Sequence, residues 1–316
     1  MKALNSNKEN ILLLGGNGFI GKNILDYYIN TFKNVNFFFV VLSRNNIDEK
    51  NINIAYEQGN FGNKEVLINL FTKWKFSKVF HLASTTIPTS SNNNIYNDLN
   101  ENLLSTITLL DVMKEFQCNY ILFLSSGGSV YGEKIISPIS ETELCLPISS
   151  HGVVKLTIEN YIKLYQKQYG INYLILRISN PFGEFHTSNQ QGIINIAVRN
   201  ALHGKILDVW GDGSQSKDYI YVKDLTNIIF KLIDNKIINN VINVGTGTSI
   251  KLNSILDQIK VMYPEFIINY IDYKPTDIKD FCLDIKLLNS LIDFKYTDFK
   301  VAINNTVVWE KLQKIQ

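Results

Sequence analysis

Three glycines, Gly15, Gly18 and Gly21, recur at every third position inside ILLLGGNGFIG, with Gly16 beside the first. The apolar run before them has strand length and the residues after them continue as a helix, so the glycines mark a strand-to-helix turn. Glycine permits a tight turn and lets backbone approach a phosphate. The helix N-terminus that follows adds N–H groups and the positive end of its dipole. Placed after the first strand and before the first helix, such a turn suits the pyrophosphate of a nicotinamide dinucleotide. The next apolar run closes as VVLSRNN, with Ser43 and Arg44 at its end. An acid there would bond the adenosine ribose diol, whereas a small residue followed by a guanidinium accommodates a 2′-phosphate. Arginine occurs only at Arg44, Arg177 and Arg199 in a chain rich in lysine, asparagine and isoleucine, which gives Arg44 more weight than usual. These residues favour NADP(H) over NAD(H).

The elements that must position this turn are legible as an alternation. Strand-length apolar runs at 11, 36, 52, 78 and 119 are separated by helical stretches from Phe19 to about Phe32, from Lys64, and from Leu99 to Phe116. A long helix over Ser150 to Tyr169 and a buried strand, NYLILRIS, at 172 follow. Such alternation is the pattern of an α/β protein with a doubly wound parallel sheet of Rossmann type. After Pro181 the pattern loosens, and VINVGTG at 241 reads as one more core strand. The expected organisation is a dinucleotide-binding domain over 1–178 with later returns near 217–246, and a smaller, discontinuous C-terminal substrate lobe over most of 179–316.

A length of 316 residues, 45% apolar and 19% charged, can bury a sizeable core without disulfides. A net charge of +2 supplies no field suited to nucleic acid or to an anionic membrane surface. Cys118, Cys145 and Cys282 are far apart and odd in number, as in a cytoplasmic protein with reduced cysteines. MKALNSNKEN lacks the apolar core of a signal peptide, and FFFVVL at 37–42 is of strand length, so neither a leader nor a membrane span is expected. The four histidines, His81, His151, His186 and His203, show no metal-ligand spacing, and no metal is expected.

Six segments occur in a telling order: GGNGFIG at 15, HLAS at 81, SSGGSVYG at 125, PISSHGVVK at 147, RISNPFG at 177 and WGDGSQSKDYIYVKDL at 210. Together they resemble the extended short-chain dehydrogenase/reductase family, in its UDP-glucose 4-epimerase-like branch. The resemblance implies a nucleoside-diphosphate sugar held by the smaller lobe, hydride exchange between nicotinamide and a sugar carbon, usually carbon 4, and a homodimer built from two helices of each subunit. It extends the cofactor turn to Phe19 and Ile20 and places Leu82 and Ala83 beside the adenosine half of the cofactor. His81 either joins them or is a satisfied core histidine. Asn60 takes the usual place of an aspartate near the adenine, Lys155 matches the lysine that holds the nicotinamide ribose, and Asn180 matches a residue near the sugar diphosphate. His186, just after NPFGEF, falls in the expected substrate loop. The Ser150 helix carries apolar residues at Val153, Val154, Leu156, Ile158, Tyr161, Ile162, Leu164 and Tyr165, wide enough to be buried on two sides, as at a dimer interface.

Two departures from that family bear on chemistry. Its proton-transfer residue is a tyrosine four residues before the lysine, one turn away on the same helix face, and this chain has His151 there. Its partner serine or threonine stands three residues before VYG, where this chain has Gly127, flanked by Ser126 and Ser129. Histidine titrates near neutrality and serves as acid or base, directly or through a water. Two diphosphate-binding arginines of the family correspond to Lys217 and Lys274, which keep charge and lose the fork geometry. The leading expectation is an NADPH-dependent reductase of a nucleotide-activated 4-keto sugar in surface-polysaccharide biosynthesis, with His151, Lys155 and Ser126 or Ser129 as its catalytic set. The alternatives are a sugar-nucleotide 4-epimerase with bound NAD and an NADP-binding protein without turnover.

Overall fold

The computed structural model describes residues 8–31, 37–45, 47, 51–133, 137–272 and 279–313. Its strands are Glu9–Leu14 (β1), Phe37–Ser43 (β2), Ile54–Gln58 (β3), Lys78–His81 (β4), Tyr120–Ser126 (β5) and Asn172–Ile178 (β6). They are followed by Asn180–Phe182 (β7), Leu207–Trp210 (β8), Ser216–Tyr221 (β9), Asn240–Val244 (β10), Ser249–Lys251 (β11), Ile268–Ile271 (β12) and Asp280–Phe281 (β13). Seven of them form one sheet in the order β10-β6-β5-β4-β1-β2-β3. The order reverses between β1 and β4, the topological switch point at which open α/β sheets bind ligands. The expected α/β architecture with a parallel sheet of Rossmann type is therefore present.

Register places the carboxyl ends of these strands level. Leu14 stands beside Leu42 on one side and His81 on the other, and His81 stands beside Phe123. The chain consequently leaves β1, β2, β4 and β5 along a single sheet edge, at Gly15, Arg44, Leu82 and Gly127. Leu12 and Leu14, Val40 and Leu42, Val79, Ile121 and Phe123 share one core with Leu67, Phe71, Leu109, Met113, Val154, Ile158 and Ile162 of the covering helices. A strand buried on both faces needs a continuous apolar run, which is what ILLL, FFFVVL and YILFL supply.

The long helix expected from Leu99 is more complex. It begins at Ile95, passes through a π-helical stretch at Leu99–Leu104 and becomes α-helical over Ser105–Glu115. The helix Ser150–Tyr169 has the predicted bounds. Its first backbone N–H groups are taken by side chains distant in sequence: Ser150 N–H donates to Asn92 Oδ1 at 2.8 Å and His151 N–H to Ser91 Oγ at 3.1 Å.

The chain divides into two compact units. One comprises 1–125, 150–176 and 237–241; the other comprises 126–149, 177–236 and 242–316. The second has its own core around Phe182, Ala197, Val198, Tyr219, Ile255, Ile259 and Ile303. It also holds a small sheet ordered β11-β9-β13, with β7 also paired to β9, and a two-stranded β12-β8 sheet. Asp218, buried within it, accepts hydrogen bonds from the Thr246 N–H and hydroxyl and from the Gly247 and Leu283 N–H groups. Among the described residues no helix is long and apolar enough to cross a membrane.

Two of the three arginines are committed to this second unit. Arg177 donates to the Tyr131 hydroxyl at 2.9 Å and lies over its ring, 4.9 Å from the centroid. Arg199 ties the helix Ile193–Leu202 to the helix Phe299–Gln313 through Glu310, at 3.2 Å from Nε and 2.8 Å from Nη2. It also donates to Ser188 O, Asn189 Oδ1 and His186 O. Lysine keeps the charge and cannot satisfy this fan of acceptors. Arg199→Lys is expected to lower stability by about 2 kcal/mol, read by urea denaturation at pH 7.

Candidate functional site

The glycine turn is shaped by backbone contacts that exclude side chains. Gly15 has φ +80°, and a β-carbon there would lie 2.9 Å from Ala83 N and 3.0 Å from Leu82 C. A β-carbon on Gly21 would lie 2.3 Å from Gly15 O. Gly15, Leu82 and Ala83 are therefore brought into backbone contact, as the resemblance implies. The helix Phe19–Asn30 starts at Gly18 with no side-chain cap, so no side chain competes for an anion at the end where Phe19 and Ile20 lie. A cradle of backbone at a helix N-terminus fits a dinucleotide pyrophosphate.

Along the same sheet edge, Ser43 closes β2, its carbonyl accepting from Gly59 N–H and its hydroxyl from Asn45 N–H. Arg44 is exposed, and its guanidinium makes no ion pair among the described residues. Asn60 Oδ1 accepts from Gly62 N–H at 3.0 Å, which makes it the keystone of the turn after β3. His81 is a satisfied core histidine. Its Nε2 lies 2.9 Å from Thr106 Oγ1, whose own proton goes to Asn102 O, and Phe61 and Phe123 meet its ring edge-to-face.

His151 and Lys155 share a face of the Ser150 helix, as their spacing requires, and both are buried. Lys155 Nζ donates to Leu124 O at 2.8 Å and sits 4.6 Å from the centre of the Phe123 ring. Burial lowers its pKa to about 8, against the opposing pull of Glu159 and Asp98. Burial, with Lys155 adding to it, lowers His151 to about 4, and Asp98 opposes. The imidazole is thus neutral at pH 7. Its Nδ1 faces Thr86 Oγ1 at 3.3 Å, and Thr86 Oγ1 donates to Asp98 Oδ1 at 2.8 Å. Thr86 and Asp98 were absent from the sequence reading. They precede His151 by many residues, and no local spacing links them to it.

The remaining candidates lie in the second unit. Ser126 caps the short helix Gly127–Tyr131, accepting from Ser129 N–H at 3.4 Å while its hydroxyl donates to Ser129 Oγ at 3.1 Å. A β-carbon on Gly127 would meet Leu283 at 3.0 Å and Phe281 at 3.1 Å, so a hydroxyl residue at that position requires those side chains to shift. Asn180 and Lys217 lie on paired strands β7 and β9, and Asn180 Nδ2 donates to Asp218 O at 2.9 Å. His186 is buried against Gly192, and burial, with Arg199, lowers its pKa to about 4. Lys274 lies outside the described residues. Among those described, no group of His, Cys, Asp or Glu is arranged to hold a metal ion.

This sheet and its glycine turn define a Rossmann-type protein. Residues 11–245 match the model of the NAD dependent epimerase/dehydratase family, and the chain belongs to that family of nucleotide-sugar epimerases, dehydratases and reductases. It is 34% identical to a putative UDP-glucose 4-epimerase of Methanocaldococcus jannaschii over 95% of this chain and 98% of the relative. It is 29% identical to a dTDP-4-dehydro-6-deoxyglucose reductase of Escherichia coli over 90% of this chain and 91% of the relative. The crystal structure of UDP-glucose 4-epimerase with UDP-glucose from Thermotoga maritima superposes with a TM-score of 0.89 at 26% identity, covering 97% of this chain and 100% of that one.

His81, His151 and His186 are all held neutral below their ordinary range, at about 3, 4 and 4. The folded state therefore binds fewer protons than the unfolded state below pH 6.5, and stability falls as pH drops from there towards 4. Thermal denaturation should show Tm descending already between pH 6.5 and 5, above the carboxylate range, by on the order of 5 °C. A flat Tm across that window contradicts the neutral burial of these rings.

Proposed function

We propose that this chain is an NADPH-dependent reductase of a nucleotide-activated 4-keto sugar, acting in sugar-nucleotide biosynthesis. The observation that carries the reading is the end of β2, where Ser43 and the exposed, unpaired Arg44 stand in place of an acid. An epimerase returns its cofactor to the starting redox state in every cycle. A net reductase must exchange spent cofactor, and a guanidinium for a 2′-phosphate suits a dissociable NADPH. The E. coli reductase relative supports the same class.

When bound at the glycine turn, the reduced nicotinamide supplies hydride. Lys155, held by Leu124 O and Phe123, is the group for the nicotinamide ribose hydroxyls. His151 Nε2 delivers a proton to the oxygen of the 4-keto group, directly or through water, as its carbon gains hydride. Ser126 or Ser129 polarises that carbonyl. Asn180, Lys217 and Lys274 serve the sugar diphosphate, and His186 borders the substrate loop. The second unit is then the sugar-nucleotide lobe. A homodimer completes the proposal: Val154, Ile158, Ile162 and Tyr165 of the Ser150 helix enter the core, while Val153 and Leu164 remain exposed for a second helix pair. A 4-epimerase carrying bound NAD is the second reading, favoured by the likeness to the Methanocaldococcus jannaschii protein.

Purified protein offered nucleotide-linked 4-keto sugars should oxidise NADPH, and Arg44→Ala should raise KM for NADPH about tenfold while leaving KM for NADH unchanged. His151→Phe should lower kcat at least about a hundredfold with NADPH affinity retained. Stoichiometric NAD in the purified protein, with interconversion of two nucleotide sugars, establishes the epimerase instead. NADP binding without oxidation of NADPH against any keto sugar identifies a protein without turnover.

The pH dependence follows from the neutral resting imidazole. The acid form needed for reduction is lost above about pH 4 in the free protein, so kcat/KM for reduction should fall as pH rises from 5 to 8. The reverse oxidation, which needs the neutral base, should stay flat over that range. A reduction profile that is flat from pH 5 to 8 excludes His151 as the acid.

A further inference from the structure

We propose that Asp98 and Thr86 are positioning residues that fix the proton of His151 on Nδ1 and leave Nε2 as its working atom. The proposal rests on the reading of His151 as the acid/base. Asp98 is fully buried and makes no ion pair among the described residues. Its carboxylate instead accepts from Thr86 Oγ1 at 2.8 Å and Asn102 Nδ2 at 2.8 Å on one oxygen, and from Ser150 Oγ at 2.6 Å on the other. Burying a carboxylate among neutral donors costs several kcal/mol of desolvation that a neutral acceptor would avoid. What a charge adds at this place is an effect on a neighbour that can itself become charged.

The proton count identifies that neighbour. Thr86 has one hydroxyl proton and an ionised Asp98 takes it, so the Thr86 oxygen facing His151 Nδ1 at 3.3 Å can only accept. Nδ1 therefore carries the proton of the neutral ring, and no hydrogen bond engages Nε2 among the described residues. In reduction, the carbonyl carbon gains hydride and the carbonyl π pair moves onto oxygen. That oxygen takes the proton from Nε2 of the imidazolium, and the Nε2–H pair returns to the ring as a lone pair. Nδ1–H and its bond to Thr86 are unchanged throughout, and solvent restores the proton at Nε2.

Two backbone features hold the relay. Ser150 and His151 open a twenty-residue helix, so its positive end lies at the carboxylate that Ser150 touches. The π-helical turn at Leu99–Leu104 starts directly after Asp98, where an inserted residue redirects the side chains on either side of it. The charged groups acting on the imidazole are Asp98, which favours its cation, and Lys155 from its own helix, which disfavours it.

The test is the tautomer of His151 by NMR in ¹⁵N-histidine-labelled, ligand-free protein, compared among wild type, Thr86→Ser, Thr86→Val and Asp98→Asn. Wild type and Thr86→Ser should show the Nδ1–H form, whereas Thr86→Val and Asp98→Asn should show substantial Nε2–H. In the latter two kcat should fall about ten- to a hundredfold with KM for NADPH within about twofold, and Thr86→Ser should keep activity within about threefold of wild type. An Nε2–H form in the wild type, or a tautomer unmoved by both Thr86→Val and Asp98→Asn, overturns the relay. The tautomer is read without substrate: a shift as expected in a chain that reduces no keto sugar supports the relay and overturns the proposed reductase. Reduction undiminished in both variants with an unmoved tautomer does the reverse.

Discussion

No side chain fits between Gly15 and Gly21. The carbonyl of Gly15 would lie 2.3 Å from a β-carbon on Gly21, and Gly15 itself abuts the backbone of Leu82 and Ala83. The turn after β1 is thus pinned on one side by the first turn of its own helix and on the other by the end of β4. Because β1, β2, β4 and β5 are level at their carboxyl ends, this one constraint aligns everything that follows them. Ser43 and Arg44, Leu82 and Ala83, and the Leu124 carbonyl that holds Lys155 all derive their positions from it. The polar chemistry of the edge depends on a backbone contact from which side chains are excluded.

A second constraint acts on charge. The Ser150 helix delivers His151 and Lys155 to a dry environment, and burial pushes both towards their neutral forms. In such surroundings a proton is held by a definite partner or not at all. Lys155 has Leu124 O and the Phe123 ring, with Glu159 and Asp98 favouring its charge. His151 has Thr86, and through it Asp98. His81 is equally buried and equally neutral, yet its Nε2 is spent on Thr106 inside the core. The difference between a structural and a reactive histidine here lies in which nitrogen is consumed by the fold.

The scarcity of arginine sorts itself by geometry. Arg177 and Arg199 each satisfy several acceptors around a planar fork, a task for which lysine has the wrong shape, and both are fixed within the second unit. Arg44 alone is exposed, without an ion pair among the described residues. Where the chain needs only positive charge it uses lysine, as at Lys217. Gly127 shows the same economy in reverse, because Leu283 and Phe281 crowd the position at which the resemblance places a hydroxyl.

The amino-acid sequence by itself determined the parallel sheet, its strands and the glycine turn. Each of these is written locally, in continuous apolar runs, in 3.6-residue periodicity and in residues that alone tolerate a given backbone path. It also determined that His151 and Lys155 share a helix face, since four residues make one turn. Only the tertiary structure decided what those side chains touch. Thr86, Ser91, Asn92 and Asp98 reach the start of the Ser150 helix from a segment 52 or more residues earlier, through contacts that no periodicity encodes. The π-helical turn after Asp98 was likewise invisible, because a helix with one inserted residue has nearly the same apolar pattern as one without it. Local geometry is legible in the order of residues; the partner of a buried proton depends on which distant segments the fold brings together.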